Sequence, residues 1–279
     1  MPYLLAIASA VFYGAADFTG GLVTRRAAAI PVVLLSQGSG LVLVALIIPL
    51  LPAATPLAAD VAWGAGAGLT GGVGVALLYH GLAIGTMSVV APTTAVAAVA
   101  IPVMTSIALG ERPGALAVLG IALGIGSIVL VSRQTTVADT GRPSGIGPAL
   151  ASGVAIGLFF LMLAQTRSPA GLWPLLAARL TSVTLFAGVV AVGRRSVRMP
   201  VRLAWLATLG GAIDMLANAL YLLAAQLGPL SPVVTLSSLY PASTVLLARA
   251  VLGERLSAWQ TAGVAGALAA VVLIVRGRG

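Results

Sequence analysis

Apolar runs of about 20 residues, each long enough to cross ~30 Å of hydrocarbon at 1.5 Å per residue, recur along this entire chain. Only 8% of the 279 residues are charged, against about 25% in soluble domains, and the mean hydropathy is +1.11. The chain therefore reads as an all-α integral membrane protein. No polar stretch is longer than about a dozen residues. That excludes a globular catalytic domain, a nucleotide-binding cassette and a nucleic-acid module.

The formal net charge of +9 comes from 15 basic residues, all Arg and mostly in short loops, so they read as topology determinants rather than a nucleic-acid face. With no Cys there is no disulfide or thiolate, and with one His there is no histidine metal cluster, so neither metal nor cofactor is expected. Pro2 runs directly into an apolar span without a basic leader or a small-residue cleavage site, and we read a first membrane helix there rather than a signal peptide.

Breaking the apolar runs at Arg, Pro and Gly clusters predicts ten transmembrane helices: 2–23, 31–51, 61–83, 87–109, 113–132, 146–165, 171–192, 203–227, 229–252 and 257–275. The longest loop, around residues 134–145, carries Thr, Asp, Gly and Pro and divides the chain into 1–133 and 146–279, five helices each. These halves repeat. An offset of 143 carries the triplet Gly110-Glu111-Arg112 onto Gly253-Glu254-Arg255, Ser9 onto Ser152, Gly14 onto Gly157, Pro31 onto Pro174 and Arg133 onto Arg276. Shared composition alone does not produce a gap-free register that includes the only two such triplets. An odd number of helices per repeat makes the second half enter the bilayer from the opposite face, so two inverted five-helix repeats are expected, an architecture of transporters.

Several residues then resemble a known family. Tyr13-Gly14, Asp17-Phe18 and Gly20-Gly21 in the first helix, Ala91-Pro92 in the fourth, and the paired Leu109-Gly110-Glu111-Arg112 and Leu252-Gly253-Glu254-Arg255 with Gly120 and Gly263 beyond them resemble the EamA branch of the drug/metabolite transporter superfamily. The resemblance covers nearly the whole chain and implies a ten-helix carrier for amino acids, nucleobases, sugars or toxic organics, working without ATP and often outward. One departure is that many such carriers have basic residues after the second helix, and Leu51 to Ala59 has none.

Let side A be the face that receives the loop after helix 1. It holds nine Arg (25, 26, 133, 142, 194, 195, 198, 202 and 255), and side B holds four (112, 167, 276 and 278). The positive-inside rule puts side A in the cytoplasm and the termini outside. The resemblance implies the reverse, and the orientation stays open at this stage.

An ionisable group at the bilayer centre costs ~2.5–3.5 kcal/mol on insertion scales, so each one is a candidate for function. Asp214 lies at the middle of helix 8 with Asn218 and Tyr221 following on the same face, and Arg179 lies near the middle of helix 7 at similar depth. The two charges are expected to pair, either to neutralise each other or to hold substrate. In helix 1, Ser9, Tyr13 and Asp17 form a stripe. Asp17 is a candidate proton carrier, or else an interfacial acid bonded to the loop or to Arg25. First-helix carboxylates of the small four-helix multidrug carriers, similar in kind to half of this chain, bind proton and cation in turn. His80 and Arg249 read as interfacial groups near side A. Gly64, Gly68 and Gly72 form a small-residue packing stripe. Pro92 and Pro102 in helix 4, and Pro232 and Pro241 in helix 9 near Tyr240, mark kinked helices expected to line the cavity and its gate.

The expected function is a secondary transporter, more exporter than importer, of small neutral, zwitterionic or weakly amphipathic organic solutes such as amino acids. It would work by alternating access in a bacterial plasma membrane, either coupled to protons or by exchange. The expected substrate site is Tyr13, Asp17, Arg179, Asp214, Asn218, Tyr221 and Tyr240. A multidrug efflux carrier is the alternative within this class. An intramembrane enzyme is disfavoured because no nucleophile and base set is present, and a channel because no charged ring or filter motif is. Expected partners are the small-molecule substrate and the lipid bilayer, with no nucleic acid; the sequence leaves the oligomeric state open.

Overall fold

The computed structural model describes residues 1–108, 114–135, 145–194, 196–227, 233 and 236–277. Among the described residues there are ten α-helices and no strand. They are α1 (Pro2–Thr24), α2 (Ala29–Ile47), α3 (Ala58–Ile84), α4 (Met87–Ala108), α5 (Ala115–Thr135), α6 (Ile146–Leu163), α7 (Trp173–Val192), α8 (Val201–Leu227), α9 (Tyr240–Leu252) and α10 (Ala258–Arg276). Seven of them are long and apolar enough to cross a membrane; stretches within α4 and α5, and α9, are shorter apolar segments. The protein is a multi-pass membrane protein. Its exterior is accordingly rich in exposed large apolar side chains, such as Trp205, Val192 and Leu246, which water would not tolerate in such density.

Nine of the expected spans match the helices to within a turn; the ninth differs. There residues 236–237 are helical, 238–239 form a turn and the described helix begins anew at Tyr240, so the span is broken just ahead of Pro241, which sits in the first turn where a missing N–H costs nothing. Pro232 lies outside the described residues, as do Gly110 to Arg112 and most of the expected linker, 136–144. In α4, by contrast, Pro92 and Pro102 both lie inside the helix.

Helices from the two halves interlock reciprocally. α1 packs on α8, and α3 packs on α6; α1 also packs on α9, as α6 does on α4. The offset of 143 extends to individual hydrogen bonds. Ser9 Oγ donates to the Ala217 carbonyl at 2.8 Å, and its counterpart Ser152 Oγ donates to the Gly74 carbonyl at 2.7 Å. Likewise Thr94 Oγ1 donates to the Ala149 carbonyl, and Ser237 Oγ to that of Ala6. All four positions in each pair of bonds are related by the same shift. Each hydroxyl is buried and bonds across the interface, where an unmade bond would be costly.

Close approach at these crossings comes from small residues. A Cβ on Gly14 would meet Ser243, Tyr240 and Thr244, and one on its counterpart Gly157 would meet Ile101 and Ala98. The α3 stripe does what its spacing predicts. Gly64 and Gly68 lie against the backbone of Pro174 and Ala178 on α7, and Gly72 against Ser182 and Phe186. Gly71 and Gly74, on the adjoining face, abut Phe159 and Ile156 of α6. α3 is thereby wedged between two helices of the other half.

Candidate functional site

The polar side chains of the spans converge where α2, α7 and α8 meet. Arg179 on α7 donates to Oδ2 of Asp214 on α8 and to Oε1 of Gln37 on α2. Ser182, one turn beyond Arg179, donates to the same Gln37 oxygen at 3.2 Å. Helical spacing assembles this cluster. Gln37 and Gly40 share the inner face of α2, and Arg179 and Ser182 share one face of α7. A Cβ at Gly40 would stand 3.4 Å from the guanidinium Nε, so α2 approaches Arg179 closely. Asp214 is the middle residue of the 27-residue α8. The Arg179 and Asp214 side chains are 11% and 22% exposed, so the pair borders an accessible space rather than being sealed in packed core.

A second group faces the same region from α1, α3 and α9. The Tyr13 and Tyr240 rings are tilted at 60° with centroids 6.1 Å apart, a favourable aromatic arrangement. Tyr79 is buried over Gly20, its hydroxyl 3.5 Å from Ser36 Oγ. Asp17 lies on the Tyr13 face of α1, half-buried, and interacts electrostatically with Asp214, Tyr13, Tyr79 and Tyr240. Among the described residues its carboxylate has no hydrogen bond or ion pair. Arg25, its alternative partner by sequence, bonds elsewhere.

The expected residues thus sort into three kinds. Arg179 and Asp214 pair, and Tyr13 meets Tyr240, with Asp17 between these groups. Asn218 donates one side-chain amide N–H to the Asp214 carbonyl of its own helix, at 2.8 Å, and its side-chain oxygen has no hydrogen bond among the described residues. Tyr221 packs beside Ala6, Ala224 and Val233, toward the side-B end. Gln37, Ser36, Ser182 and Tyr79 were not anticipated as site residues. A Gln in the middle of an apolar span was the signal for the first. His80 and Arg249 are exposed on the outer surface, away from the cluster.

Two charged staples join the halves at opposite ends. On side A, Arg25 Nη2 lies 3.2 Å from Glu254 Oε1, and the Glu254 carboxylate accepts the N–H groups of Met87 and Ser88, each at 3.0 Å, at the start of α4. The acid of the second Gly-Glu-Arg triplet therefore caps a helix of the other half, where its charge also complements the helix dipole. On side B, Arg167 Nη2 donates to Asp60 Oδ2 at 2.8 Å, the Arg167 N–H to Oδ1 at 3.0 Å, and the Leu57 N–H to Oδ2 at 2.8 Å. The polar cluster lies between these two closures. Among the described residues no group of three or more His, Asp or Glu could hold a metal ion.

The family model of the EamA-like transporter family matches this chain twice, over residues 1–133 and 143–276. No curated protein matches it. One solved structure, described only as a crystal structure of a protein, is similar with a TM-score of 0.61 at 16% identity, covering 98% of this chain and 95% of its own. That likeness shows the fold alone.

Proposed function

We propose, for a chain that belongs to the EamA-like transporter family and is thereby a membrane transporter of the drug/metabolite transporter superfamily, that it carries small amphipathic organic solutes, amino acids and their relatives among them, by alternating access. Two inverted five-helix repeats provide the moving parts, and export across a bacterial plasma membrane is the direction. The observation that carries this reading is the Arg179, Asp214 and Gln37 cluster at the crossing of helices from both halves, with Tyr13, Asp17 and Tyr240 facing it. The paired hydrogen bonds related by one offset, and the family match to each half, support the repeat. Tyr221 and the side-chain oxygen of Asn218 extend the site toward side B. The staples at Glu254 and Asp60 serve as the two gates, of which one must open at a time.

Protons are the proposed coupling ion, and Asp17 their carrier. The groups that face it are Asp214 from α8, Tyr79 from α3, Tyr240 from α9 and Tyr13 on its own helix. In proteoliposomes, substrate flux driven by a pH gradient is expected in the wild type. Asp17→Asn is expected to abolish that flux while leaving substrate exchange. Unchanged pH-driven flux in the variant would remove Asp17 from the coupling, and wild-type flux indifferent to pH would leave facilitated diffusion or exchange.

Because the chain has no Cys, orientation is read by single cysteines at Ser196, on side A, and Ala53, on side B. The balance of Arg predicts that an impermeant thiol reagent labels Ala53→Cys in intact cells and spares Ser196→Cys. The opposite pattern would establish cytoplasmic termini.

A further inference from the structure

The side-A ends of α7 and α8 are joined by the most strongly charged segment of the chain, four Arg in the nine residues 194–202 with no acid among them. Arg194, Arg198 and Arg202 are exposed, and among the described residues their side chains make no hydrogen bond or ion pair; Arg195 lies outside those residues. Among the described residues no acid is at hand to neutralise them. Asp60 and Glu254 are held by Arg167 and Arg25, Asp17 and Asp214 lie inside the spans, and Glu111 and Asp139 are not among the described residues. Arg194 also sits at φ +46°, in the left-handed region that favours glycine, so a charged side chain is kept where glycine would relieve strain.

Apolar surface flanks these charges. Val192 is 90% exposed and Trp205 70%, which sets the loop at the boundary between hydrocarbon and headgroups, where Trp and Arg characteristically lie. Two apolar troughs run from the loop toward the midplane. The one on α7, with a volume of about 890 Å³, is lined by Leu69, Leu180, Thr184, Gly188 and Val192 and ends at Gly193, the residue before Arg194. From Leu180 to Gly193 the helix rises about 20 Å, more than the ~15 Å of hydrocarbon in one leaflet. Thr184 turns its hydroxyl to the Leu180 carbonyl of its own helix, at 2.8 Å, so that side chain asks for no polar partner. The trough on α8, about 530 Å³, starts at Arg202 and Trp205 and continues past Leu209 to Ala212. Unpaired positive charge above a hydrocarbon-lined trough is complementary to an anionic phospholipid, whose phosphate supplies the missing counter-charge. We infer that this corner binds such a lipid, its phosphate on Arg194, Arg198 and Arg202 and an acyl chain along the α7 trough.

Native mass spectrometry of the purified full-length protein in mild detergent tests this, with phosphatidylglycerol, phosphatidylcholine of identical chains, and glycerol phosphate as probes. Phosphatidylglycerol is expected to bind about tenfold more tightly than either of the others. Arg194→Gln, Arg198→Gln and Arg202→Gln together are expected to erase that preference. The control triple Arg26→Gln, Arg249→Gln and Arg255→Gln removes equal charge from other exposed positions near side A and is expected to retain it. Gly188→Leu, at a position where no atom lies within 4 Å of an added Cβ, is expected to fold normally and, by filling the trough, to weaken phosphatidylglycerol about fivefold. Thermal unfolding verifies the fold of each variant. If the first triple variant does not fold, its three single changes are each expected to weaken the lipid about twofold, and unchanged affinity in all three would overturn the site. Equal affinity for the two lipids, or an equal loss in both triples, would reduce the arginines to diffuse charge and overturn it as well. Glycerol phosphate binding as tightly as phosphatidylglycerol would make this a site for free phosphate, against the proposal. Unchanged lipid binding in Gly188→Leu would overturn the trough, and a dimer lost in that variant would give the trough to a second copy of this chain.

Discussion

Asp214→Asn is expected to lower the stability of the protein by about 3 kcal/mol, at the lower end for a broken buried ion pair because Arg179 and Asp214 retain some exposure. The loss arises less from the missing attraction than from the guanidinium it strands. Arg179 would keep its bond to Gln37, but a neutral amide oxygen cannot replace a carboxylate as counter-charge in low dielectric. Adding Arg179→Gln removes the stranded charge, and the double variant is expected to regain a melting temperature within a few degrees of the wild type. Transport is expected to stay absent, because in the proposed site the pair borders an accessible space and orients the groups that would meet the solute. Melting temperature and flux measured on all four members of the cycle separate the two roles. A double variant that is stable and transports normally would reduce the pair to mutual neutralisation.

Gly68→Val is expected to deplete the folded protein almost completely. Its first side-chain carbon would fall on the Ala178 carbonyl oxygen and within 2.7 Å of the Ala178 Cα, so no rotamer change relieves it and α3 must move away from α7. Overpacking commonly costs 1–3 kcal/mol. Here the obstacle is backbone and the substituent β-branched, which puts the cost at or above the top of that range. The counterpart Gly211→Val, against the Ser36 carbonyl oxygen on α2, is expected to behave alike. Gly188→Ala on α7 is the control, since no atom lies within 4 Å of its added Cβ. Size-exclusion profiles of the three variants in mild detergent check this. A monodisperse peak of normal yield for Gly68→Val would mean that the α3–α7 contact is not needed for assembly.

The membrane class and the approximate spans were legible in the amino-acid order because local constraints impose them. Hydrocarbon demands about 20 apolar residues per crossing, and the offset of 143 between the Gly-Glu-Arg triplets recurs between the paired cross-helix hydrogen bonds. The same rule exposed Arg179 and Asp214, since a charge inside an apolar run is conspicuous wherever its partner lies. Neutral polar residues are flagged more weakly: Gln37 does interrupt an apolar span, but nothing in the order of residues says what it meets. Gln37, Ser182 and Tyr79 acquire their roles only when α2 crosses α7 and Tyr79 settles over Gly20, contacts between residues far apart in sequence. Glu254 was visible as a repeat marker, yet its use as a cap on α4 depends on a loop of one half reaching a helix start in the other. Asp17 shows the division most plainly. Spacing placed it on the Tyr13 face of its helix, but whether it would be paired or left in excess depended on where Arg25 found its acid. Tertiary structure decided that by bringing Glu254 to it.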